Sequence, residues 1–174
     1  LPRLEGRHRS APPISQVGKI ICVGLNYAEH AFESGAPLPK EPILFLKAPS
    51  AVVGAYDNVI LPNQSIKSDW EVELGVVIGS VAASVSVCDA LDYVAGYTIV
   101  NDISEREFQL ERGGLWDKGK SCDTFCPVGP WLVTKDEIKD PQCLSLWLDV
   151  NGRRLQSSST KHMIFGVKEL VSYI

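Results

Sequence analysis

Glu71 and Glu73, two glutamates separated by one residue, are the first side chains whose types and spacing could do chemistry. They lie in segment 69–79 (DWEVELGVVIG), whose alternating pattern predicts a β-strand. On a strand, residues i and i+2 point to one face about 7 Å apart, so both carboxylates could bind one hard cation such as Mg²⁺. The alternative is a solvated face of a half-exposed strand. Acidic residues are uncommon in strands, and Gly75 and Val77 on that face are not polar, which favours the cation.

A third acid, Asp102, follows the predicted strand 96–101 (GYTIVN). An aspartate at a strand end often forms only an Asx turn. As a third ligand, however, it would complete an oxygen site with the two glutamates. Three carboxylates without a nearby histidine or cysteine indicate Mg²⁺, Mn²⁺ or Ca²⁺ in preference to zinc or copper.

His30 and Glu33 are spaced i, i+3 and fall on one face of a predicted short helix. Asn26 as a cap with Glu29 at the third position resembles a capping box, and Gly35 is a stop signal. A carboxylate beside an imidazole orients it and raises its basicity, as a water-activating base requires. The alternative is an incidental pair on an exposed helix. The proline-rich loop that follows suits a mobile lid.

The polar segment 102–120 carries Arg106, Gln109 and Lys120. Guanidinium, amide and ammonium groups together could clamp carboxylates and neutralise a developing enolate. Each of these side chains taken alone could equally be an ordinary solvated surface group.

The elements that must position these residues are short strands and a few helices. The chain of 174 residues is long enough for about one domain, predicted at 19–174 after an extended entry segment 1–18. The strand–helix alternation of βαβ units is missing, which favours an α+β, predominantly β domain. Asn151-Gly152 predicts a hairpin turn, and 161–174 predicts an amphipathic helix. The other strands are predicted at 19–24, 43–47, 52–54, 59–61, 125–134, 144–150 and 153–156.

Composition excludes several classes of function. The net charge is −4 with scattered basic residues, so we expect no nucleic-acid partner. The longest apolar runs fall far short of the roughly 18 residues of a membrane span, so we expect no membrane partner. The basic, proline-containing first residues do not resemble a secretory signal.

The five cysteines are an odd number without a CxxC pair, which argues against a disulfide framework and favours a reducing compartment, by default the cytoplasm. Cys122 and Cys126 with the distant His162 could in principle hold zinc. Isolated cysteines more often behave as small buried apolar residues, and we favour that interpretation.

Together these motifs resemble the catalytic C-terminal domain of the fumarylacetoacetate hydrolase superfamily. The pairing of WEVELG with ND-x-S-x-R-x-x-Q some thirty residues later is highly specific. The matching stretches, in family order, are 21–30 (ICVGLNYAEH), 44–47 (LFLK), 69–79 (DWEVELGVVIG), 94–109 (VAGYTIVNDISEREFQ), 119–130 (GKSCDTFCPVGP) and 150–156 (VNGRRLQ).

The resemblance implies a mixed β-sandwich roll, usually a homodimer, that acts on 2-oxo and 2,4-dioxo acids with Mg²⁺ or Mn²⁺. It also implies a glycine-rich closing segment beyond the last helix, which we expect to be missing from this sequence. The family roles fall on Glu71, Glu73 and Asp102 for the metal, on His30 and Glu33 for water activation, on Lys120, Arg106 and Gln109 for binding or polarising the substrate, and on Lys47 for the cavity wall.

The reaction we predict is hydrolytic cleavage of a carbon–carbon bond in an acylpyruvate-like acid through a metal-stabilised enolate. An isomerase, tautomerase or decarboxylase of a 2-oxo dicarboxylic acid is the alternative. A catalytically silent homologue is a different class of answer. The intact motifs argue against it, whereas the expected lack of a closing segment argues for it.

Overall fold

The computed structural model describes residues 8–174; the rest of the predicted entry segment, residues 1–7, lies outside the described part. The described elements confirm an α+β, predominantly β fold. The strands are β1 (Ile20–Gly24), β2 (Ile43–Lys47), β3 (Val52–Gly54), β4 (Ser68–Asp69), β5 (Val72–Ile78), β6 (Val94–Asn101), β7 (Ser104–Glu105), β8 (Cys126–Val128), β9 (Val133–Thr134), β10 (Ser145–Val150) and β11 (Arg153–Ser159). The helices are α1 (Ala28–Glu33), α2 (Arg106–Leu110), α3 (Asp117–Lys120) and α4 (Val167–Tyr173), with 3₁₀ turns at Pro49–Ala51, Ala90–Tyr93 and Thr160–His162.

The largest sheet is mixed and has the order β3-β8-β6-β5, with β9 paired to one end of β6. Only β3 and β8 run parallel in it; β5, β6 and β9 pair in antiparallel fashion. Three smaller antiparallel pairs, β1–β2, β10–β11 and β4–β7, surround this sheet. Because β5 runs antiparallel to β6, the residues just before β5 and just after β6 meet at one edge.

Two apolar clusters hold these elements together. One contains Ala51 with Cys126 and Val128 of β8, and Val52 of β3 packs against it. The other packs Val167 of α4 against Val94 and Tyr97 of β6. The predicted apolar face of the last helix is therefore confirmed, since burying it against the sheet removes apolar surface from water.

The turn predicted at Asn151-Gly152 is also confirmed. Both residues have positive φ, 51° and 77°, as the favoured two-residue hairpin turn requires. The turn joins β10 to β11, with Val150 opposite Arg153. β11 extends to Ser159, three residues beyond the predicted end at Gln156, because the pairing with β10 continues to Ser145.

Several predicted boundaries are wrong. The first helix has Tyr27 as its N-cap, because the amide of Asn26 instead bonds the backbone of Phe165 in both directions, at 3.0 and 2.9 Å. The last helix begins at Val167, where the Glu169 carboxylate accepts the N–H of Gly166 at 2.7 Å. Segment 59–61 is not a strand.

Two predicted strands are interrupted. Segment 69–79 is divided between β4, which pairs with β7, and β5. Segment 125–134 is divided at Gly129-Pro130 between β8 and β9, since proline cannot donate to a sheet ladder. The polar segment 102–120 contains two short helices, α2 and α3. No helix among residues 8–174 is long and apolar enough to span a membrane.

Candidate active site

The candidate site lies at the edge where β5 begins and β6 ends. Val72 of β5 pairs with Asn101 of β6, so Glu71 and Asp102 are adjacent across the two strands. The backbone N–H of Asp102 donates to the carbonyl of Glu71 at 2.9 Å. The side-chain oxygen of Asn101 accepts the N–H of Glu71 at 3.2 Å. The strand pairing therefore brings together two of the three predicted metal ligands.

Lys120, at the end of α3, joins these two acids. Its ammonium nitrogen lies 2.6 Å from Glu71 Oε2 and 2.8 Å from Asp102 Oδ2. The lysine is only 2% exposed. A buried cation needs partners of opposite charge, and both carboxylates supply them.

Arg106, on the first turn of α2, binds the opposite side of Glu71. One guanidinium nitrogen lies 2.5 Å from Glu71 Oε1 and 2.6 Å from Asp69 Oδ2, and another donates to Gln109 Oε1 at 2.9 Å. Coulombic attraction from Glu71 and the bonds to Asp69 outweigh burial and raise the pKa of Arg106. The predicted trio of Arg106, Gln109 and Lys120 is thus brought into one network.

Lys47, at the end of β2, lies beneath this network. Its side chain is completely buried, and its ammonium donates to Asp102 Oδ1 at 2.6 Å and to the carbonyl of Ile103 at 3.1 Å. It also donates to the backbone carbonyl of Lys120. Lys47 therefore contacts the site from the protein interior.

Glu73, on β5, differs from the other acids. Among residues 8–174 its carboxylate has neither a hydrogen-bond donor nor a salt-bridge partner. Burial raises the pKa of this carboxyl to about 8, and repulsion by Glu71 and Asp102 adds to the effect while Lys120 opposes it. Tyr27, at the start of α1, lies close enough to be affected: burial, and then Glu73, raises the pKa of its phenol. Its buried hydroxyl has no partner in the described part of the chain.

The carboxylates of this site have the chemistry of divalent-cation ligands, but they are not gathered into one cluster. In the described range, no three His, Cys, Asp or Glu side chains meet in a metal-ligand cluster. The physical reason is Lys120, whose ammonium lies between Glu71 and Asp102. The chemistry of the donors nevertheless fits a hard cation, because all are carboxylate oxygens and Glu73 forms no salt bridge with any residue in the range 8–174.

His30 and Glu33 are not brought to this network. Both side chains are exposed on α1, and over residues 8–174 no hydrogen bond or ion pair joins them to each other or to the network. Glu33 lines an open depression of about 570 Å³ together with Ala28, Glu29, Phe32 and Ser157.

The first turn of α1 is held by Glu29. Its carboxylate accepts the hydroxyl of Ser158 at 2.9 Å and lies 2.9 Å from His162 Nδ1. The Ser158 bond and then the His162 contact lower the pKa of Glu29. The helix that carries His30 is therefore attached to β11 and to the turn before α4 through an exposed contact.

Three contributors to the site were missed from the sequence. Asp69 shares Arg106 with Glu71, Tyr27 is close enough to Glu73 to be affected by its charge, and Asn101 supports the backbone of Glu71. Asp69 and Asn101 could have been found, since each adjoins a predicted ligand motif. Tyr27 had no signal of its own, because a tyrosine beside a short helix is an ordinary core residue.

The cysteines play no part in a metal cluster of the described residues. All five are free. Burial raises the pKa of the Cys22 thiol, and it raises that of Cys126 to about 11. Cys126 is buried, as predicted for a small apolar group, whereas Cys122 and Cys22 are only partly buried.

Comparison with known proteins shows the family of the chain. The family model described as fumarylacetoacetate (FAA) hydrolase C-terminal matches residues 19–174. The chain therefore belongs to the fumarylacetoacetate hydrolase family, whose members are hydrolases and isomerases.

Three relatives illustrate the range. A fumarylacetoacetate hydrolase from Exiguobacterium antarcticum has a TM-score of 0.87 and 37% identity, covering 99% of this chain and 62% of that one. A 5-carboxymethyl-2-hydroxymuconate delta-isomerase from Mycobacterium smegmatis has a TM-score of 0.84 and 39% identity, covering 95% and 64%. A curated relative from Burkholderia ambifaria, which carries only a provisional name as a hydrolase, is 56% identical over all 174 residues. The chain spans 62% of that relative's length.

Proposed function

We propose that the protein is a divalent-metal-dependent enzyme that hydrolyses a carbon–carbon bond in a 2,4-dioxo acid. The observation that supports this most is the network of Glu71, Asp102 and Lys120 beside Glu73, a carboxylate without a positive partner among the described residues. Such a site concentrates negative oxygens around a buried ammonium. It suits a reaction in which a metal and a proton donor share the charge of an enolate.

Glu71, Glu73 and Asp102 would hold the cation, Mg²⁺ by preference, with Mn²⁺ or Ca²⁺ as alternatives. When bound, the cation supplies a Lewis acid that polarises the carbonyl of a 2-oxo acid. Binding also places positive charge beside Glu73, which the folded chain otherwise leaves protonated below about pH 8.

Lys120 supplies the second positive charge. An ammonium has three N–H donors, and Lys120 directs two of them at Glu71 and Asp102. The third can donate to the substrate oxygen on which negative charge develops. Arg106 and Gln109 lie next to it on α2 and bind the carboxylate of the substrate.

His30, oriented by Glu33, takes a proton from the attacking water. The water oxygen bonds to the remote carbonyl, the adjacent carbon–carbon bond breaks, and its electron pair becomes a pyruvate-type enolate that is then protonated. In this proposal the outer part of α1 moves towards the site when substrate binds, since Tyr27 at its start is near enough to Glu73 for that charge to raise the pKa of its phenol. Both side chains are exposed and available for this role.

An isomerase or tautomerase of a 2-oxo dicarboxylic acid is the second candidate, with oxaloacetate-type decarboxylation as a variant. One observation favours it: His30 lies outside the network, and enolate chemistry without water attack needs only the network. The relative from Mycobacterium smegmatis named as a delta-isomerase agrees with that chemistry.

A substrate panel tests the proposal. The full-length protein with Mg²⁺ or Mn²⁺ is offered an acylpyruvate, an unsaturated 2-oxo dicarboxylate and oxaloacetate, and the products are identified by chromatography. We expect pyruvate and a carboxylic acid from the acylpyruvate. His30→Ala should abolish this hydrolysis, whereas His8→Ala, a change at another exposed histidine, should not. Isomerisation unaffected by His30→Ala would favour the second candidate, and no turnover of any acid would favour a silent homologue.

The same proposal includes a homodimer in the cytoplasm, which the family membership and the cysteine composition support. Size-exclusion chromatography with light scattering checks the dimer.

A further inference from the structure

We infer that Lys47 is a positioning residue that fixes both Asp102 and Lys120 and does not contact substrate. The catalytic part of this inference rests on the proposed function, but its structural part does not. The family resemblance alone assigned Lys47 to the cavity wall.

The ammonium of Lys47 has no donor left for a ligand. Its three N–H groups are matched by three acceptors of the protein, Asp102 Oδ1, the carbonyl of Ile103 and the carbonyl of Lys120. The side chain is 0% exposed, so a substrate has no path to it. A substrate ligand would need an open donor and access, and Lys47 has neither.

Each oxygen of the Asp102 carboxylate binds a different lysine ammonium. Oδ1 accepts from Lys47, and Oδ2 accepts from Lys120. A carboxylate held at both oxygens cannot rotate freely, so Lys47 determines which oxygen faces Lys120 and Glu71. Groups that bond to a metal-binding carboxylate from behind commonly orient it in this way.

Lys47 also belongs to a backbone attachment that holds α3. The N–H of Leu46 donates to the Asp117 carboxylate at 3.0 Å, and the N–H of Ala48 donates to the Ser121 hydroxyl at 2.9 Å. Between them, Lys47 donates to the carbonyl of Lys120. Leu46 and Lys47 at the end of β2 and the next residue, Ala48, thus hold both ends of α3, and the Lys120 ammonium is carried at the end of that helix.

A double-mutant cycle of thermal unfolding tests the structural part. Lys47→Met keeps the length of the side chain but leaves Asp102 with one cation, so Tm should fall by about 10 °C. Asp102→Asn should also lower Tm. The Tm of the variant with both changes should fall by less than the sum of the two single decreases, because neither member of the Lys47–Asp102 pair then remains buried alone. Lys168→Met, on the exposed side of α4, should leave Tm unchanged.

Steady-state kinetics test the catalytic part. For Lys47→Met we expect kcat to fall by about 10²-fold while KM changes by less than about threefold, since the geometry and not the binding contact is lost. A large rise in KM with an unchanged kcat would overturn the inference, and so would additive losses of Tm in the cycle. If Lys47→Met alone does not fold, recovery of folding in the double variant supports the inference, and its failure overturns it. Absence of turnover in the wild-type protein would contradict the proposed function, while the unfolding cycle would still decide on Lys47.

Discussion

The network at the ends of β5 and β6 and the helix α1 differ in how their charged groups are held. Lys47, Lys120 and Asp102 are buried, and each has at least two charged or polar partners. His30 and Glu33 are exposed and have no charged partner among residues 8–174. Segments with few buried contacts open at low free-energy cost, whereas enclosed networks open only with the core. The difference indicates a rigid part that would bind cation and enolate and a movable part that would bring the base.

The largest effect is expected from Lys120→Met. The change leaves Glu71 and Asp102 without their shared cation and removes the donor proposed for the enolate. We expect kcat to fall by about 10³-fold, together with a clear loss of Tm. Lys118→Met, two residues earlier and on the exposed side of α3, is the matched control and should change neither value. A wild-type kcat for Lys120→Met would contradict the proposed chemical role of the rigid part.

His30→Ala should impair the role of the movable part and leave the rigid part unchanged. Hydrolysis should fall by about 10²-fold or more, because a general base has been removed. Tm and the affinity for Mn²⁺ should stay at wild-type values, since His30 contacts none of the buried groups. Thermal shift with and without Mn²⁺ measures both. Loss of Mn²⁺ binding in this variant would show that α1 belongs to the cation site.

Glu73 predicts a pH dependence of stability in the metal-free protein. The folded state keeps a proton on Glu73 up to about pH 8, whereas the ordinary value for the carboxyl is 4.5. The folded state therefore binds more protons between these values, and the free energy of unfolding falls as the pH rises from about 4.5 to 8, then levels off.

Urea unfolding in the presence of a chelator at several pH values measures this dependence. The wild-type protein should lose stability over that range relative to Glu73→Gln, which has no proton to release. Parallel curves for the two proteins would contradict the raised pKa.

The smallest effect on stability is expected from Glu29→Gln. This change weakens the exposed contacts to Ser158 and His162, and exposed ion pairs contribute little. Tm should not change measurably, but amide hydrogen exchange in the first turn of α1 should become faster. Unchanged exchange would show that the contact to Asn26 and Phe165, and not Glu29, holds the helix.

The sequence predicted the rigid part better than the movable part. The period of segment 69–79 and the position of Asp102 after an apolar strand predicted that Glu71 and Asp102 would meet, and the pairing of β5 with β6 has that effect. The positions of the lysines that neutralise these acids were not predictable in the same way. That Lys120 lies between the two acids, and that Lys47 lies behind Asp102, depends on the docking of α3 against β2.

The movable part shows what local patterns cannot supply. Asn26 was predicted to cap the first helix, but its amide bonds the backbone of Phe165, 139 residues away along the chain, and Tyr27 is the N-cap instead. His30 and Glu33 were placed on one helix as predicted, yet spacing on a helix does not say what that helix faces. The predicted pairing of the two side chains stays a prediction.

Calorimetric titration with Mn²⁺ tests the central claim, that the carboxylates beside Lys120 hold one divalent cation. The proteins are wild type, Glu73→Gln and the control Glu137→Gln, whose carboxylate is exposed and remote in the sequence from the predicted ligands. We predict one bound ion per chain for the wild type and the control, and a loss of affinity of about 10²-fold or more for Glu73→Gln. Equal binding by all three proteins would contradict the assignment of the cation to this site.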